Sequence, residues 1–344
     1  TEDFAEPYCN SSGADFYLRN CTLTSCGSLD TVTSIDANAN FELTNVKCIT
    51  TVATKTLQLD TAVVPTGGKT RSIVGCSFDK TIDWFSPIGW TVTNTYFGNG
   101  YSATDTATGW TLFEDNILVK TAQGPQIIQG DVTDCYWYKI SVANPHFLAP
   151  STVRGNAISG VVFEHGGSDA AGDCVVATAA GSAFSYSLSN CIVLPNTADD
   201  VSGTLISLLG NANNTWTVNH NTYISKGTAA IAIAETYTGH AGLLASARSN
   251  LAWSASATTA VVIQDSSTND AVANYITVTG YNGIWNGAAT LYDVGAGVIN
   301  TDSTANDVSG DPDFVDETRD LASWDASLGG AGTASAALAR IAAD

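Results

Sequence analysis

Residues 16–24 read FYLRNCTLT, and the order of apolar and polar side chains in this stretch decides the fold. Phe16 and Leu18 alternate with polar neighbours, as a half-buried strand requires. After Asn20 the apolar residues are Cys21 and Leu23, on the opposite parity. A slip of one residue sends every side chain of a strand to the other face. The apolar residues can therefore change parity and stay inside only where the backbone bends by one residue. Asn, Asp and Gly tolerate the left-handed conformation that such a bend needs. The stretch reads as two short strands that meet at a corner and face one core.

The same pattern returns along the chain. Copies are FELTNVKCI (41–49), SIVGCSF (72–78), WTVTNTYF (90–97), VTDCYWY (132–138), YSLSNCIV (186–193), VNHNTYI (218–224) and ARSNLAW (247–253). Weaker copies are LFEDNILV (112–119), TVRGNAI (152–158) and ITVTGYNGI (276–284). Aligned on Asn, Asp or Gly, the corners fall at Asn20, Asn45, Gly75, Asn94, Asn116, Asp134, Asn156, Asn190, Asn221, Asn250 and Gly280. No helical pattern intervenes, and Thr, Val, Ile and aromatic residues dominate the copies. Strands spaced this way cannot all pair as hairpins. They can wind into successive coils, each strand pairing in parallel with its equivalent one coil later, with the corner amides stacked along the axis.

This φ-x-φ-x-N-φ-x-φ series resembles the right-handed parallel β-helix, the fold of pectate lyases and phage tailspikes. The resemblance covers about residues 9 to 315. It implies an all-β, single-stranded solenoid of about eleven coils over 1–315. A C-terminal capping segment, 316–344, follows. In it Thr333 or Ser335 could cap a short Ala-rich helix ending near Ala343. The stretch DPDFVDETRDLASWD (311–325) resembles the end region of β-helix proteins from phages and environmental bacteria, and the chain is expected to be an excerpt or processed fragment. A propeller or sandwich would need hairpin turns of the Asn-Gly kind between alternating strands, and these are scarce.

In this alignment the columns around the corner are core. Two before it stand Leu18, Leu43, Ile73, Val92, Val132 and Leu188. One after it stand Cys21, Val46, Cys76, Cys135 and Cys191. Three after it stand Leu23, Cys48, Phe78, Phe97, Val119, Trp137, Val193, Ile224 and Trp253. Trp90 and Trp216 take an inward place about four before the corner, with Phe16 and Phe41. The recurring cysteines are thus read as small buried hydrophobes. Cys9 and Cys26 lie outside the pattern, and with eight cysteines disulfides remain an alternative in an oxidising compartment.

Composition limits the partners. The chain has 344 residues, 13 Lys plus Arg against 33 Asp plus Glu, and a formal charge of -20. Binding nucleic acid or an anionic membrane takes clustered cations, so neither partner is expected. No run is long and apolar enough to insert in a membrane. There is no C-x-x-C, no Cys/His cluster, no G-x-S-x-G and no phosphate-cradling loop. The likeness to tailspikes places the protein outside the cell, on a cell surface or on a virion.

Trp84 and Phe85, in DWFSP, and Trp285, in YNGIW, escape the core columns and are the expected carbohydrate contacts. The acidic stretch 300–320 lacks the EF-hand pattern and reads first as a solvated loop with no cofactor; the sharper alternative makes Asp311, Asp313 and Asp316 metal ligands, with calcium the ion their oxygens would suit. For catalysis, β-helix polysaccharide enzymes use a basic residue with calcium carboxylates, or converging carboxylates. Asn300-Thr301-Asp302, Asp199-Asp200 and Gly239-His240 echo polygalacturonase motifs but in the wrong order. Asp79, Asp83, Asp105, Glu114 and Asp115 are the carboxylates that could approach across coils. Two functions follow. The first is a structural or adhesive module of a spike, fibre or surface filament, self-assembling or joined to other subunits and touching glycans. The alternative is a polysaccharide depolymerase, a lyase or a glycoside hydrolase.

Overall fold

Asn20, at φ 52°, occupies the left-handed region and turns the chain by one residue. A computed structural model of the chain describes residues 14–24, 36–49, 57–59, 64–79, 81–84, 87–103, 108–120, 126–139, 147–165, 174–177, 184–194, 204–208, 214–225, 229–235, 244–254, 259–265, 273–280, 282–285, 292–294, 298–299 and 308–309. Within them the protein is a parallel β-solenoid, all-β and without helix. The proposed C-terminal helix, Asp311, Asp313, Asp316, Phe85, Cys9 and Cys26 lie outside the described residues, as does the whole 316–344 segment.

Four ladders make the three faces of the solenoid among the described residues. The first face comes before the corner. It runs through Phe16–Thr24, Phe41–Ile49, Arg71–Val74, Trp90–Thr93, Leu112–Glu114, Val132–Thr133, Ala157–Ser159, Ser185–Ser189, Thr215–Asn219, Leu244–Arg248, Ala273–Gly280 and Val298–Ile299, every pairing parallel. That makes twelve rungs, so the count differs from the eleven copies read in the sequence. The extra rung, Val298–Ile299, is too short to carry the pattern. The second face comes after the corner. It takes in the same first two strands, then Ser77–Phe78, Tyr96–Phe97, Ile117–Lys120, Tyr136–Lys139, Val162–His165, Ile192–Leu194, Thr222–Ser225, Leu251–Ser254, Gly283–Trp285 and Val308–Ser309.

The third face holds a three-stranded ladder, Leu57–Leu59, Ile82–Trp84 and Tyr101–Ala103. It also holds a seven-stranded one from Gln126–Ile127 to Tyr292–Val294. Its strand Thr204–Leu208 is buried at every residue. Trp84 closes the second strand of the smaller ladder and is fully buried, packed by Trp90, Phe97 and Tyr101. It therefore does not stand in an exposed loop, and its ring is closed to a sugar.

The corners themselves need a correction. Positive φ falls at Asn20, Asn45, Gly75, Asn94, Asp115, Asp134, Gly160, Asn190, His220 and Ser249. Asn116, Asn221 and Asn250 follow the corner by one residue and are buried. Asn156 precedes its corner by four, and Gly280 pairs with Arg248, one residue before Ser249. Where two small polar residues are adjacent, the first makes the bend and the second turns inward.

That shift of one moves a column. The inward series three after the corner is Leu23, Cys48, Phe78, Phe97, Leu118, Trp137, Phe163, Val193, Tyr223, Ala252 and Ile284, in continuous register. Val119, Ile224 and Trp253, read from the sequence as members of it, fall one place later on the alternation. The series two before the corner is inward as expected, from Leu18 to Ala247. Trp90 and Trp216 are buried four before their corners, and Trp216 stacks on Tyr186 with centroids 4.7 Å apart.

Candidate binding faces of the solenoid

The position just after the corner is a polar column inside the apolar core. It holds Cys21, Val46, Cys76, Thr95, Asn116, Cys135, Val161, Cys191, Asn221, Asn250 and Asn282. Each asparagine there serves the preceding rung twice. Asn250 Oδ1 accepts from the Asn221 backbone N–H at 3.2 Å, and its Nδ2 donates to Val218 O at 2.7 Å. Asn221 does the same for Cys191 N–H and Leu188 O, and Asn116 for Thr95 N–H and Val92 O. Asn282 extends the series to Asn250 N–H and Ala247 O.

The cysteines make the same bonds with sulfur. Cys76 Sγ accepts from Val46 N–H at 3.5 Å and faces Leu43 O at 3.4 Å. Cys135 and Cys191 reach Phe113 O and Ile158 O at 3.9 Å. These thiols are hydrogen-bonding members of the column, more than hydrophobic fillers. Burial pushes the Cys76 thiol up to about 11 and Cys191 up to about 12, and raises Cys135 further, so they stay protonated. Cys76, Cys135 and Cys191 are thiols, in no disulfide among the described residues. The column is occupied by its own neighbours and is structural.

What is left for partners is the outside. On the first face the outward residues one and three before the corner are mostly hydroxyl-bearing. Between Thr133 and Arg248 they include Ser159, Ser187, Ser189, Thr217, Asn219 and Ser246, with no charge among them. Several bond to one another along the axis. Ser189 Oγ donates to Ser159 Oγ at 3.4 Å, Ser246 Oγ donates to Asn219 Oδ1 at 2.9 Å, and the Ser185 and Thr215 hydroxyls share a bond of 3.1 Å. The parallel rungs, about 4.8 Å apart, set these groups in a regular array that can donate and accept.

Charge gathers instead at the first rungs of that face. Arg19 makes a two-pronged contact with Glu42, both bonds 2.7 Å. Lys69 Nζ bonds Asp15 Oδ1 at 2.9 Å, and Asp15 also accepts from Asn40 N–H at 2.8 Å. These bonds hold the Asp15 carboxyl well below the usual range, the Asn40 backbone N–H contributing most.

The second face is apolar outside. Tyr96, Ile117, Tyr136, Val162, Ile192, Thr222 and Leu251 form one outward column in register. Tyr96, Val119 and Tyr138 make a small hydrophobic cluster of their own, separate from the main core, with Ile117 and Tyr136 packed on it. Sequence reading missed this stripe because the misplaced corner at 116 turned Val119 inward.

The carboxylates singled out for catalysis are spread around the cross-section. Glu114 is on the first face, Asp115 is at the corner, and Asp79 is four past its corner on the second face. Asp83 lies in a third-face strand, and Asp105 lies outside the described residues. Among the described residues no group of three or more His, Cys, Asp and Glu is placed to hold a metal ion. The backbone of Trp285 closes Gly283–Trp285 and pairs with Trp253. His220 is an exposed corner residue at φ 59°. No family model, curated protein or solved structure gives a significant match to this chain.

Proposed function

We propose that this chain is a structural and adhesive module of an extracellular or virion surface, a β-helix of the phage spike and surface-fibre type, that contacts glycans with its first face. The observation that carries this reading is the uncharged hydroxyl array from Ser159 to Ser246. Such a face matches a sugar surface in donors and acceptors and asks no ion to shed its water. The interior column supports the reading too, since side-chain bonds between successive rungs stiffen a rod that must present one face unchanged.

The test is retention on a panel of immobilised polysaccharides, with the soluble fraction assayed for released oligosaccharides. The expected result is retention of the full chain without defined products. The double variant Ser187→Lys, Thr217→Lys, which places cations in the middle of the face, should be released. Accumulation of defined oligosaccharides would assign the protein to polysaccharide depolymerases. Equal retention of the double variant would move the contact off this face.

A further inference from the structure

The first rung leaves its side of the core open. Phe16, Leu18, Cys21 and Leu23 take the inward positions there and are only half-buried. Their register partners on the second rung, Phe41, Leu43, Val46 and Cys48, are buried. Phe16–Thr24 pairs with Phe41–Ile49 on one side, and among the described residues no strand pairs with its other edge. Phe16 N–H donates to Asn40 O at 2.8 Å, so Phe16 and Leu18 turn their backbone groups to the second rung. Those of Tyr17 and Arg19 face the open edge. A row of such groups is a template for another strand.

The edge is self-complementary. Asp15, Tyr17 and Arg19 are exposed on its outward side. Tyr17 OH donates to Asp15 Oδ2 at 3.3 Å, and the Arg19 guanidinium lies 5.0 Å from the centre of the Tyr17 ring. Consider two copies joined antiparallel about a twofold axis at Tyr17 and normal to the first face. Tyr17 then stands opposite the partner's Tyr17, and Asp15 opposite the partner's Arg19. On the inward side Phe16 meets the partner's Leu18, so each core continues into the other. Centring the joint on Asp15 or on Arg19 would set like charges opposite each other, which destabilises paired strands. A parallel joint, with its twofold along the strands, would turn one copy's core side outward. The paired charges of this end, Arg19 with Glu42 and Lys69 with Asp15, cancel. Two chains of charge -20 can therefore meet here without concentrating that charge at the joint.

We infer that the open edge Asp15–Arg19 is an interface between two copies of this chain, joined head to head as antiparallel edge strands centred on Tyr17. Such a joint uses the same patch on both copies and closes at the dimer. It covers the half-exposed end of both cores and satisfies both free edges. Because the axis is normal to the first face, the hydroxyl arrays of the two copies look the same way, and one polysaccharide can engage both. The interface itself does not rest on the glycan reading.

The experiment measures the mass of the full chain by sedimentation velocity over a concentration series. The parent should sediment at twice the chain mass and split on dilution. Tyr17→Phe keeps the ring and the backbone and should dimerise alike. Tyr17→Pro removes the N–H at the centre of the joint, one that the chain's own ladder does not use, and an edge strand tolerates proline there. It should sediment as a monomer with unchanged far-UV circular dichroism. Opposed residues of a hydrogen-bonded antiparallel pair have Cα atoms about 5.5 Å apart, within the reach of a disulfide. Tyr17→Cys should thus form a covalent dimer on mild oxidation, above the background of the parent. Thr22→Cys, on the same strand past the corner, should not. A monomer at every concentration, as an edge covered within one chain would give, overturns the inference. Assemblies that grow past the dimer overturn it in favour of open end-to-end stacking. Equal cross-linking of the two cysteine variants, or a Tyr17→Pro variant that remains a dimer, puts the contact elsewhere and overturns it as well.

Discussion

Asn250 has its whole side chain committed to the rungs beside it. Its oxygen takes the Asn221 N–H, and its amide donates to Val218 O and also reaches Asn282 Oδ1 at 3.3 Å. Leucine fills a similar volume but offers neither bond, and the site is buried. Each buried polar group left without its partner costs about 1–3 kcal/mol, so Asn250→Leu should destabilise by roughly 2–5 kcal/mol. Asn190→Gly changes an exposed corner at φ 55°, where glycine fits, and should cost only a few tenths of a kcal/mol. Urea unfolding of the two variants checks the contrast. Similar losses would mean that the inward column and the outward corner carry equal weight, contrary to the hydrogen bonds each makes.

At the scale of a rung, the corner sets how closely the next one may approach. Gly155 and Gly160 stand at the two ends of the strand Ala157–Ser159. A β-carbon on Gly155 would strike the backbone oxygen of Ser185 on the next rung, and one on Gly160 would strike Asp134 Oδ1 on the rung before. A side-chain carboxylate can rotate away, but a backbone carbonyl fixed in a ladder cannot. Gly155→Ala should therefore cost more than Gly160→Ala, about 3 kcal/mol or above against about 1–2 kcal/mol, the range of overpacking and of a strained positive φ. Thermal unfolding of both variants gives the order, and the reverse order would refute it. The same geometry explains what the sequence made legible. At Asn20, Asn45, Gly75, Asn94, Asp134 and Asn190 a single residue fits the left-handed bend, and parity alone placed the corner. At Asp115-Asn116, His220-Asn221 and Ser249-Asn250 two polar neighbours compete, and local preference favours the asparagine. The choice is made by the buried backbone groups of the preceding rung, which need an amide inside; that demand is not local in sequence.

Over the whole molecule, net charge sets how stability answers to salt. With 33 acidic and 13 basic residues the folded chain repels itself, and compaction works against that repulsion. Raising salt from about 10 mM to about 1 M shortens the screening length from roughly 30 Å to roughly 3 Å. Long-range repulsion between rungs is then removed, while the hydrogen bonds inside the core are untouched. The unfolding temperature should accordingly rise with sodium chloride, by about 1–2 °C for each kcal/mol of relieved repulsion in a chain of 344 residues. A calorimetric melt along one salt series checks the rise. A melting temperature that falls with salt would mean that local ion pairs such as Arg19–Glu42 and Lys69–Asp15 outweigh the net charge. Exposed pairs of that kind are screened by solvent and contribute little, too little to reverse the sign against an excess of 20 negative charges.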